Sequence, residues 1–102
     1  MGFNQQVWEL CKKIPKGKVT TYKEIGKKLG KGQVYRAVGN ALKKNPDAPN
    51  TPCHRVVKSD GSLGGYCGEM NSSKKIKMLK EEGILFEKGK IVDFEGKLFR
   101  YI

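Results

Sequence analysis

Residues 20–43 read TTYKEIGKKLGKGQVYRAVGNALK and contain two short amphipathic segments separated by glycines. The first segment has Thr20 or Thr21 as a candidate N-cap, followed by apolar residues at helical spacing. The second is expected to run from about residue 33 to residue 43, with its apolar residues facing inward and Arg36 available to point outward. Two short helices joined by a glycine-containing turn predict a helix-turn-helix, although the same spacing also fits an ordinary helical hairpin.

Two further helices flank this pair. Apolar residues every three to four positions predict a helix over residues 3–14, which Pro15 ends. Residues 72–82 predict a fourth helix, and Gly83 follows it as a C-cap. On this periodicity Cys11 is a small core residue rather than a reactive thiol, because buried cysteine behaves as a hydrophobic residue.

The rest of the chain predicts loops and a β tail. Residues 44–62 are rich in Pro, Asn, Asp and Gly and should be mostly loop, interrupted by one short apolar pair. Residues 63–68 contain three glycines and predict a pliable surface loop. Alternating apolar residues over 84–102 predict a small β-hairpin or a three-stranded ribbon. The expected fold class is therefore α+β, mainly helical, in a single domain of residues 1–102 with a small C-terminal β-hairpin.

The charge balance favours a polyanionic partner. Lys and Arg number 21 against 10 Asp and Glu, a formal net charge of +11, and the sequence pI is about 9.7. Nucleic acid is the commonest polyanion inside cells, although a lysine-coated or heat-adapted soluble protein has the same composition. The mean hydropathy of −0.59, with no long apolar run and no signal-peptide pattern, predicts a soluble, cytoplasmic protein.

The cysteines carry the first chemical signal. Their odd number and unpaired spacing suggest neither a zinc site nor a disulfide framework, so free thiols in a reducing compartment fit better. Cys53 stands beside His54, the only histidine, and a neighbouring imidazole can lower the pKa of a thiol enough to make it nucleophilic. Adjacent residues often point apart, so these two residues alone favour an incidental pair.

A wider set of motifs resembles one protein family. In chain order the matching blocks are Ile14-Pro15-Lys16-Gly17, Thr21-Tyr22, Arg36-Ala37-Val38-Gly39, Asn45-Pro46, Pro52-Cys53-His54-Arg55-Val56-Val57, Leu63-Gly64-Gly65-Tyr66 and Glu82-Gly83. Their order and spacing resemble the C-terminal, DNA-binding and catalytic domain of the O6-alkylguanine-DNA alkyltransferases. The resemblance implies a winged helix-turn-helix domain that binds the minor groove of DNA, flips out a damaged guanine and accepts its alkyl group.

The resemblance implies that Cys53 is the nucleophile. His54 would take the thiol proton through a water, and Glu82 would hold and support the imidazolium, which is the logic of a nucleophile, base and orienter triad. Asn45 matches the asparagine that braces this network. Tyr22 matches a tyrosine that assists flipping and donates a hydrogen bond to the guanine ring as its oxygen leaves.

The same resemblance implies a set of DNA-binding residues. Arg36 matches the arginine that occupies the space of the flipped base, although a solvated helix arginine would otherwise be the default. Val34, Tyr35 and Gly39 are expected near the minor groove together with Tyr22. Tyr35 stands where the family commonly has a small alanine, so it either alters the fit to the groove or turns inward.

The residues implied as the substrate pocket are Trp8, Val56, Tyr66 and Cys67. Cys67 stands where the family often has serine, which places a second thiol near Cys53, either to pair oxidatively or simply to line the pocket. The segment from residue 66 to residue 75 is two residues longer than usual, so the gate over the pocket is expected to differ. Arg55 is expected to be structural, fixing the loop through a salt bridge or carbonyl contacts.

The resemblance also implies the partners. No metal or organic cofactor is expected, because the thiolate itself accepts the alkyl group and each protein molecule acts once. The expected partner is double-stranded DNA containing O6-alkylguanine, bound by a monomer with no membrane involved. The family's N-terminal domain is expected to be absent, and a separate N-terminal domain or an excision-repair partner stays open.

Two other functions stay open. Short alkyltransferase-like proteins bind alkylated guanine and hand it to excision repair, but they replace the cysteine that this chain retains as Cys53. A winged-helix transcription regulator with redox-responsive cysteines would explain the charge and the helices, but not the set of Cys53, His54 and Glu82. The sequence therefore favours alkyl transfer.

Overall fold

The computed structural model describes residues 2–30, 35–47, 50–63, 65–66, 69–70 and 73–101. Its helices are α1 (Phe3–Lys12), α2 (Tyr22–Lys28), α3 (Tyr35–Lys43), α4 (Ser73–Glu81) and α5 (Phe94–Lys97), with a 3₁₀-helix at Cys53–Arg55. Its strands are β1 (Thr20–Thr21), β2 (Val56–Val57), β3 (Gly65–Tyr66), β4 (Glu69–Met70), β5 (Phe86–Glu87) and β6 (Lys90–Ile91). The fold is thus a mixture of helices and small sheets. Within the described ranges, every helix is too short or too polar to cross a membrane.

The first three helices build one core cluster. α3 packs against both α1 and α2. The buried members of this cluster are Val7, Leu10, Cys11, Ile14, Ile25, Val38, Ala41, Leu42, Cys53 and Val56. The inward faces predicted for α1 and for the described part of α3 are therefore confirmed, and Cys11 is a core residue. Arg36, on the other side of α3, is exposed.

The boundaries of α2 follow from its caps. The side-chain oxygen of Thr21 accepts a hydrogen bond from the Glu24 amide at 3.0 Å, which satisfies one of the amides that a helix start leaves without a partner. After the helix, Gly30 adopts a φ of +71°, a left-handed conformation that glycine reaches without a steric penalty. Thr20, the other candidate cap, lies in β1 instead. Gln33 and Val34 lie outside the described residues.

A short parallel ladder separates two core clusters. β1 pairs with β2, with Thr20 opposite Val56 and Thr21 opposite Val57. Val56 packs in the first cluster and Val57 in the second, because successive residues of a strand face opposite sides. The buried members of the second cluster are Val19, Val57, Leu63, Leu79, Ile84 and Ile91. The 3₁₀-helix that begins at Cys53 leads directly into this ladder.

The expectation of an irregular loop over residues 63–68 is wrong for part of that segment. β3 and β4 pair antiparallel, with Gly65 opposite Met70 and Tyr66 opposite Glu69. Two residues per strand are too few for an alternating pattern to be recognised in a sequence. Gly64, Cys67 and Gly68 lie outside the described residues.

The C-terminal segment contains the predicted hairpin but replaces the possible third strand with a helix. β5 and β6 pair antiparallel, with Phe86 opposite Ile91. α5 follows, and the Lys97 amide donates to the Asp93 carbonyl at 3.1 Å across its single turn. Phe94 packs against the second core cluster from this turn. The apolar residue that suggested strand alternation is therefore buried by a helical turn.

The last residues attach the tail to the N-terminal half. The Phe99 amide donates to the Val19 carbonyl at 2.7 Å, and the Val19 amide donates to the Lys97 carbonyl at 2.9 Å. The Tyr101 hydroxyl donates to the Leu10 carbonyl of α1 at 2.7 Å. The bonds of Val19 hold the chain just before β1, and the Tyr101 bond joins the tail to α1.

Candidate active site at Cys53

A tight turn presents the Cys53 thiol. The Cys53 amide donates to the Thr51 carbonyl at 2.8 Å, and the Arg55 amide donates to the Pro52 carbonyl at 3.0 Å. Cys53 is only 4% exposed and packs with the first core cluster. Cys11 of α1 is buried in the same cluster. The turn therefore holds a buried cysteine at the entrance to β2.

Glu82 joins the two residues that follow Cys53. His54 Nε2 lies 3.0 Å from Glu82 Oε2. Arg55 donates from Nε to Oε1 at 2.9 Å and from Nη2 to Oε2 at 2.7 Å, a two-pronged contact that matches the planar shape of both groups. The side chains of His54 and Glu82 are 3% and 11% exposed. The structure thus brings together two of the residues that the sequence analysis grouped with Cys53.

Arg55 also holds the end of the first helix. Its Nη1 donates to the carbonyl of Ile14, just after α1, at 2.9 Å. The same guanidinium therefore links the end of α1, the Cys53 turn and the end of α4. The predicted salt bridge and carbonyl contact of Arg55 are both confirmed.

The charge states of this set follow from burial and hydrogen bonding. Burial lowers the pKa of His54 below its ordinary value, and it outweighs the attraction of Glu82, which acts in the opposite direction. Burial raises the pKa of Glu82, but the hydrogen bonds from Arg55 and His54 outweigh it and the net direction is downward. At neutral pH the imidazole is therefore neutral and the carboxylate ionised, with its charge balanced by Arg55.

These charge states assign the tautomer of His54. An ionised carboxylate can only accept hydrogen bonds, so the 3.0 Å contact makes Nε2 the protonated ring nitrogen. Nδ1 then carries the lone pair and is the ring atom able to accept a proton. The arrangement can therefore act as a base beside a thiol.

The backbone turns just after Glu82. Gly83 adopts a φ of +89° directly after α4, and the Ile84 amide donates back to the Leu79 carbonyl at 3.0 Å, which ends the helix. Gly17 adopts a φ of +86°, and a Cβ there would lie 3.5 Å from the Glu82 carbonyl oxygen. The left-handed conformation of Gly83 therefore ends the helix beside Glu82, and Gly17 lies close to the Glu82 backbone.

Asn45 braces the loop that leads into the Cys53 turn. Its Nδ2 donates to the Thr51 carbonyl at 2.9 Å, and its Oδ1 accepts from the Asp47 amide at 2.9 Å. The Thr51 carbonyl also accepts from the Cys53 amide, so Asn45 and the backbone of Cys53 are held by the same carbonyl. This geometry fits the bracing role implied by the resemblance.

The residues implied in DNA binding lie on α2 and α3. Tyr22 is half-buried at the first position of α2, and a Cβ on Gly39 would lie 4.0 Å from its ring carbon Cε1. The two helices therefore meet closely beside Tyr22. Tyr35 begins α3, but its side chain is not among those described, and Val34 lies outside the described residues.

The structure places the implied pocket residues in different surroundings. Val56 is fully buried in the first core cluster. Trp8 donates from Nε1 to the Ala41 carbonyl at 2.7 Å and contributes to an open hollow of about 270 Å³. That hollow is lined by Gln5, Trp8, Glu9, Lys12, Asn45, Pro46, Asp47 and Thr51. Among the described residues, Cys53 is not part of this lining. The Tyr66 side chain and Cys67 lie outside the described part.

Comparison with known proteins identifies the family. The family described as 6-O-methylguanine DNA methyltransferase, DNA binding domain, matches residues 2–84. The chain belongs to this family. The resemblance inferred from the motifs is thereby confirmed, and the β5–β6 hairpin and α5 lie beyond the matched segment.

Relatives in this family carry a methyltransferase name. A methylated-DNA–protein-cysteine methyltransferase of Methanosarcina barkeri is 43% identical over 82 residues, which are 80% of this chain and 52% of that protein. A protein of the same name from Candida glabrata is 46% identical over 79 residues, 78% of this chain and 37% of the relative. The chain thus spans about half, or less, of the length of these relatives.

Solved structures of the same family show two kinds of likeness. The crystal structure of Mycobacterium tuberculosis OGT in complex with DNA matches with a TM-score of 0.73 and 40% identity, over 80% of this chain and 50% of that one. The structure of S. pombe Atl1 in complex with damaged DNA containing O6-carboxymethylguanine matches with a TM-score of 0.81 and 27% identity. It covers 97% of this chain and 95% of Atl1. The sequence identity is therefore higher to OGT, whereas the structural match to Atl1 extends over more of this chain.

Sequence reasoning missed one buried charged residue of this family member, Lys75. It is fully buried in α4, and its ammonium donates to the carbonyls of Val56 and Leu63. A signal exists in the sequence, because Lys75 precedes the buried Leu79 by four residues and therefore shares its face of the helix. Lysine is so seldom fully buried that a surface position was the natural expectation.

Proposed function

We propose that this chain repairs O6-alkylguanine in DNA by transferring the alkyl group to Cys53. One observation carries the proposal: a buried Arg55–Glu82–His54 set supplies a neutral base in the residue next to a buried thiol. A thiol becomes a strong nucleophile only when it loses its proton, so such a base is what the chemistry requires. The names of the methyltransferase relatives support the same reaction.

In the proposed reaction, the Cys53 thiol passes its proton to His54 through a water. The sulfur attacks the alkyl carbon, the S–C bond forms as the C–O6 bond breaks, and the electron pair of the broken bond stays with guanine. Glu82 supports the imidazolium, while Tyr22 donates a hydrogen bond to the guanine ring as the C–O6 bond breaks. The guanine anion then takes one proton from water and the imidazolium returns one to water, so that one proton moves in net from sulfur to guanine. The thioether is stable, so one chain repairs one base without a metal or an organic cofactor.

We assign DNA binding to a winged helix-turn-helix formed around α2 and α3, within a single unit of residues 1–102 that acts as a monomer. The O6 substituent is enclosed in a stacked duplex, so the base has to leave the helix before a buried thiol can reach it. Arg36 is exposed on α3 and is the proposed residue that fills the vacated space; Val34, Tyr35 and Gly39 would accompany it at the groove. The net charge of +11 would add affinity for any DNA sequence.

A binding-only lesion sensor is the second candidate. It is favoured by the match to Atl1, which extends over 97% of this chain, including the tail beyond residue 84. In that case the chain would hold O6-alkylguanine without reacting and present it to excision repair. The retained Cys53 and its base favour transfer over this alternative.

The experiment is a nucleoside analysis of duplex DNA that carries one O6-methylguanine, with the DNA in excess over increasing amounts of protein. Transfer converts the lesion to guanine in an amount that never exceeds the amount of protein, and Cys53→Ala abolishes the conversion. Tight lesion-dependent binding with the lesion intact would support the sensor. Preference for one undamaged sequence, with no preference for the lesion, would support a transcription regulator and overturn both.

A further inference from the structure

The side chain of Lys75 connects two segments beside the candidate active site. Its Nζ donates to the Val56 carbonyl at 2.6 Å and to the Leu63 carbonyl at 2.7 Å. Val56 follows the Cys53 turn directly in β2, whereas Leu63 precedes β3. Lys75 is 0% exposed, so these bonds are made in the interior. One ammonium group thus ties the active-site strand to the neighbouring segment.

A buried ammonium is costly to the fold. Taking a charge out of water is strongly unfavourable, and two carbonyl oxygens compensate only in part. An apolar side chain of the same length on α4 would fill the space without this penalty, as Leu79 does one turn later. A positive charge in this interior acts strongly on any other ionisable group that is buried close to it, because little water screens it.

The Cys53 thiol is such a group, because α4 packs against the 3₁₀-helix that begins at Cys53. Val56, whose carbonyl accepts from Lys75, also donates its amide to the Cys53 carbonyl. Burial lowers the pKa of Lys75 to about 7, while the charges of Cys53 and Cys11 act in the opposite direction. Lys75 in turn acts electrostatically on Cys11 and His54. The groups that interact with its charge thus come from α1 and from the Cys53 turn. Because a charge–charge interaction is mutual, the ammonium favours the Cys53 thiolate by as much as the thiolate favours the ammonium.

We propose that Lys75 is a positioning residue for alkyl transfer, which holds Val56 and Leu63 in place and stabilises the thiolate of Cys53 with a buried positive charge. The part of the proposal that concerns alkyl transfer rests on the proposed function. The part that concerns the thiolate is a property of the protein alone. His54 would remove the proton, and Lys75 would favour the charge that is left on sulfur.

The first test is a titration of the Cys53 thiolate, followed by its ultraviolet absorbance. Subtracting the curve of Cys53→Ser from that of the parent protein isolates the Cys53 contribution. The subtraction is made in the wild type, in Lys75→Met, in Lys75→Arg and in Lys77→Met, an exposed lysine of the same helix. We expect Lys75→Met to move the midpoint upward and to reduce the thiolate fraction at neutral pH roughly tenfold. Lys77→Met should not move it, and Lys75→Arg, which keeps a cation, should move it less than Lys75→Met.

The second test measures the effect of Cys53 on Lys75, in a variant that retains Lys75. In Cys53→Ser the thiolate is gone, so we expect the titration midpoint of Lys75, followed by NMR of its Cε group, to move to lower pH. This measurement does not depend on whether Lys75→Met folds. Unchanged midpoints in either test would overturn the proposal, including the case in which Lys75→Met only loses stability.

Neither titration uses DNA, so they remain informative if the wild type fails to transfer a methyl group. Transfer from duplex DNA containing O6-methylguanine is measured separately across the same variants. A wild type that does not react would overturn the proposed function but not the effect of Lys75 on the thiol. A wild type that reacts as fast as Lys75→Met at every pH would remove the role of Lys75 in transfer.

Discussion

Two sets of charged side chains in this molecule are built differently. In the buried set, Arg55 and His54 contact Glu82 at 2.7–3.0 Å, and none of the three side chains is more than 16% exposed. In the exposed set, Lys12 and Glu9 lie 3.2 Å apart with side chains 47% and 55% exposed. Water screens the exposed pair, so it contributes little to stability. Breaking the buried set would leave a charge without a partner or solvent, which is strongly destabilising.

The two sets are expected to have different roles: the buried set in the reaction, and the exposed set in attracting DNA. The buried set is anchored at three places, the end of α1, the Cys53 turn and the end of α4, and it prepares one side chain to accept a proton. The exposed lysines, such as Lys12, lie at the surface in contact with water. They supply positive charge over the surface, which attracts any polyanion and weakens with salt. Substitutions in the buried set should therefore slow the reaction. Substitutions of exposed charged residues should either weaken DNA binding or have no measurable effect.

Replacing Glu82 with glutamine should have the largest effect. The amide keeps the shape but lacks the charge that balances Arg55, so the free energy of unfolding should fall by about 3 kcal/mol. Loss of support for the imidazolium should slow alkyl transfer by about a hundredfold or more. Urea unfolding and single-turnover transfer measure the two effects.

Glu81→Gln is the matched control for this change. Glu81 is the neighbouring residue at the end of α4 and is exposed. Its replacement should leave both the transfer rate and the stability near wild type. Equal losses in the two variants would contradict the distinction between the buried set and the surface.

Acidification should lower the free energy of unfolding in two steps, one from His54 and one from Glu82. The folded-state pKa of His54 lies below its ordinary 6.5, so the unfolded chain binds the extra proton and stability falls as the pH drops through 6.5. The folded-state pKa of Glu82 lies below its ordinary 4.5, so its stabilisation is present above 4.5 and is lost as the pH falls further. Urea unfolding at a series of pH values should show both losses. If Glu82→Gln retains the second loss in full, Glu82 is not its source.

Replacing Arg36 with alanine should slow the repair of duplex DNA without changing the reactivity of Cys53. Arg36 is exposed on α3 and lies outside the buried set, so we expect repair of duplex DNA to fall about tenfold. Repair of the free base O6-methylguanine should be nearly unchanged, because no duplex has to be opened. Arg100→Ala, an exposed arginine of the tail, is the control. Equal losses on duplex and free base would remove the base-replacing role of Arg36.

Replacing Glu9 with glutamine should have the smallest effect. The change breaks the exposed pair with Lys12, and the expected loss of stability is less than about 0.5 kcal/mol. Thermal unfolding at low and high salt would measure it, and the small difference from wild type should vanish at high salt. A loss as large as that of Glu82→Gln would show that exposure does not distinguish the two sets.

The helices and part of the site could be predicted from the sequence because their signals are local. The apolar stripe of α1, the Thr21 cap and Gly83 each act within one turn of helix, so a single stretch of sequence carries the information. The motif blocks likewise grouped His54 and Glu82 with Cys53. Only the structure shows that Arg55, rather than His54, balances the charge of Glu82.

The features that could not be predicted depend on distant contacts. The ladder between Thr20 and Val56 joins strands of two residues, which are too short to show alternation. The helical turn at Phe94 forms because that ring packs on the second core cluster. Lys75 is buried because carbonyls from two other segments receive its ammonium. The local pattern of apolar and polar residues does not reveal these contacts, because each joins residues that are far apart in the sequence.

The most direct test of the account is the mass of the intact wild-type protein after incubation with duplex DNA containing one O6-methylguanine. We predict a gain equal to one methyl group in place of one hydrogen, located on the Cys53 peptide, and no gain in Cys53→Ala. An unchanged mass while the lesion-bearing DNA stays bound would contradict transfer, and a methyl group on any other residue would contradict the assignment of Cys53.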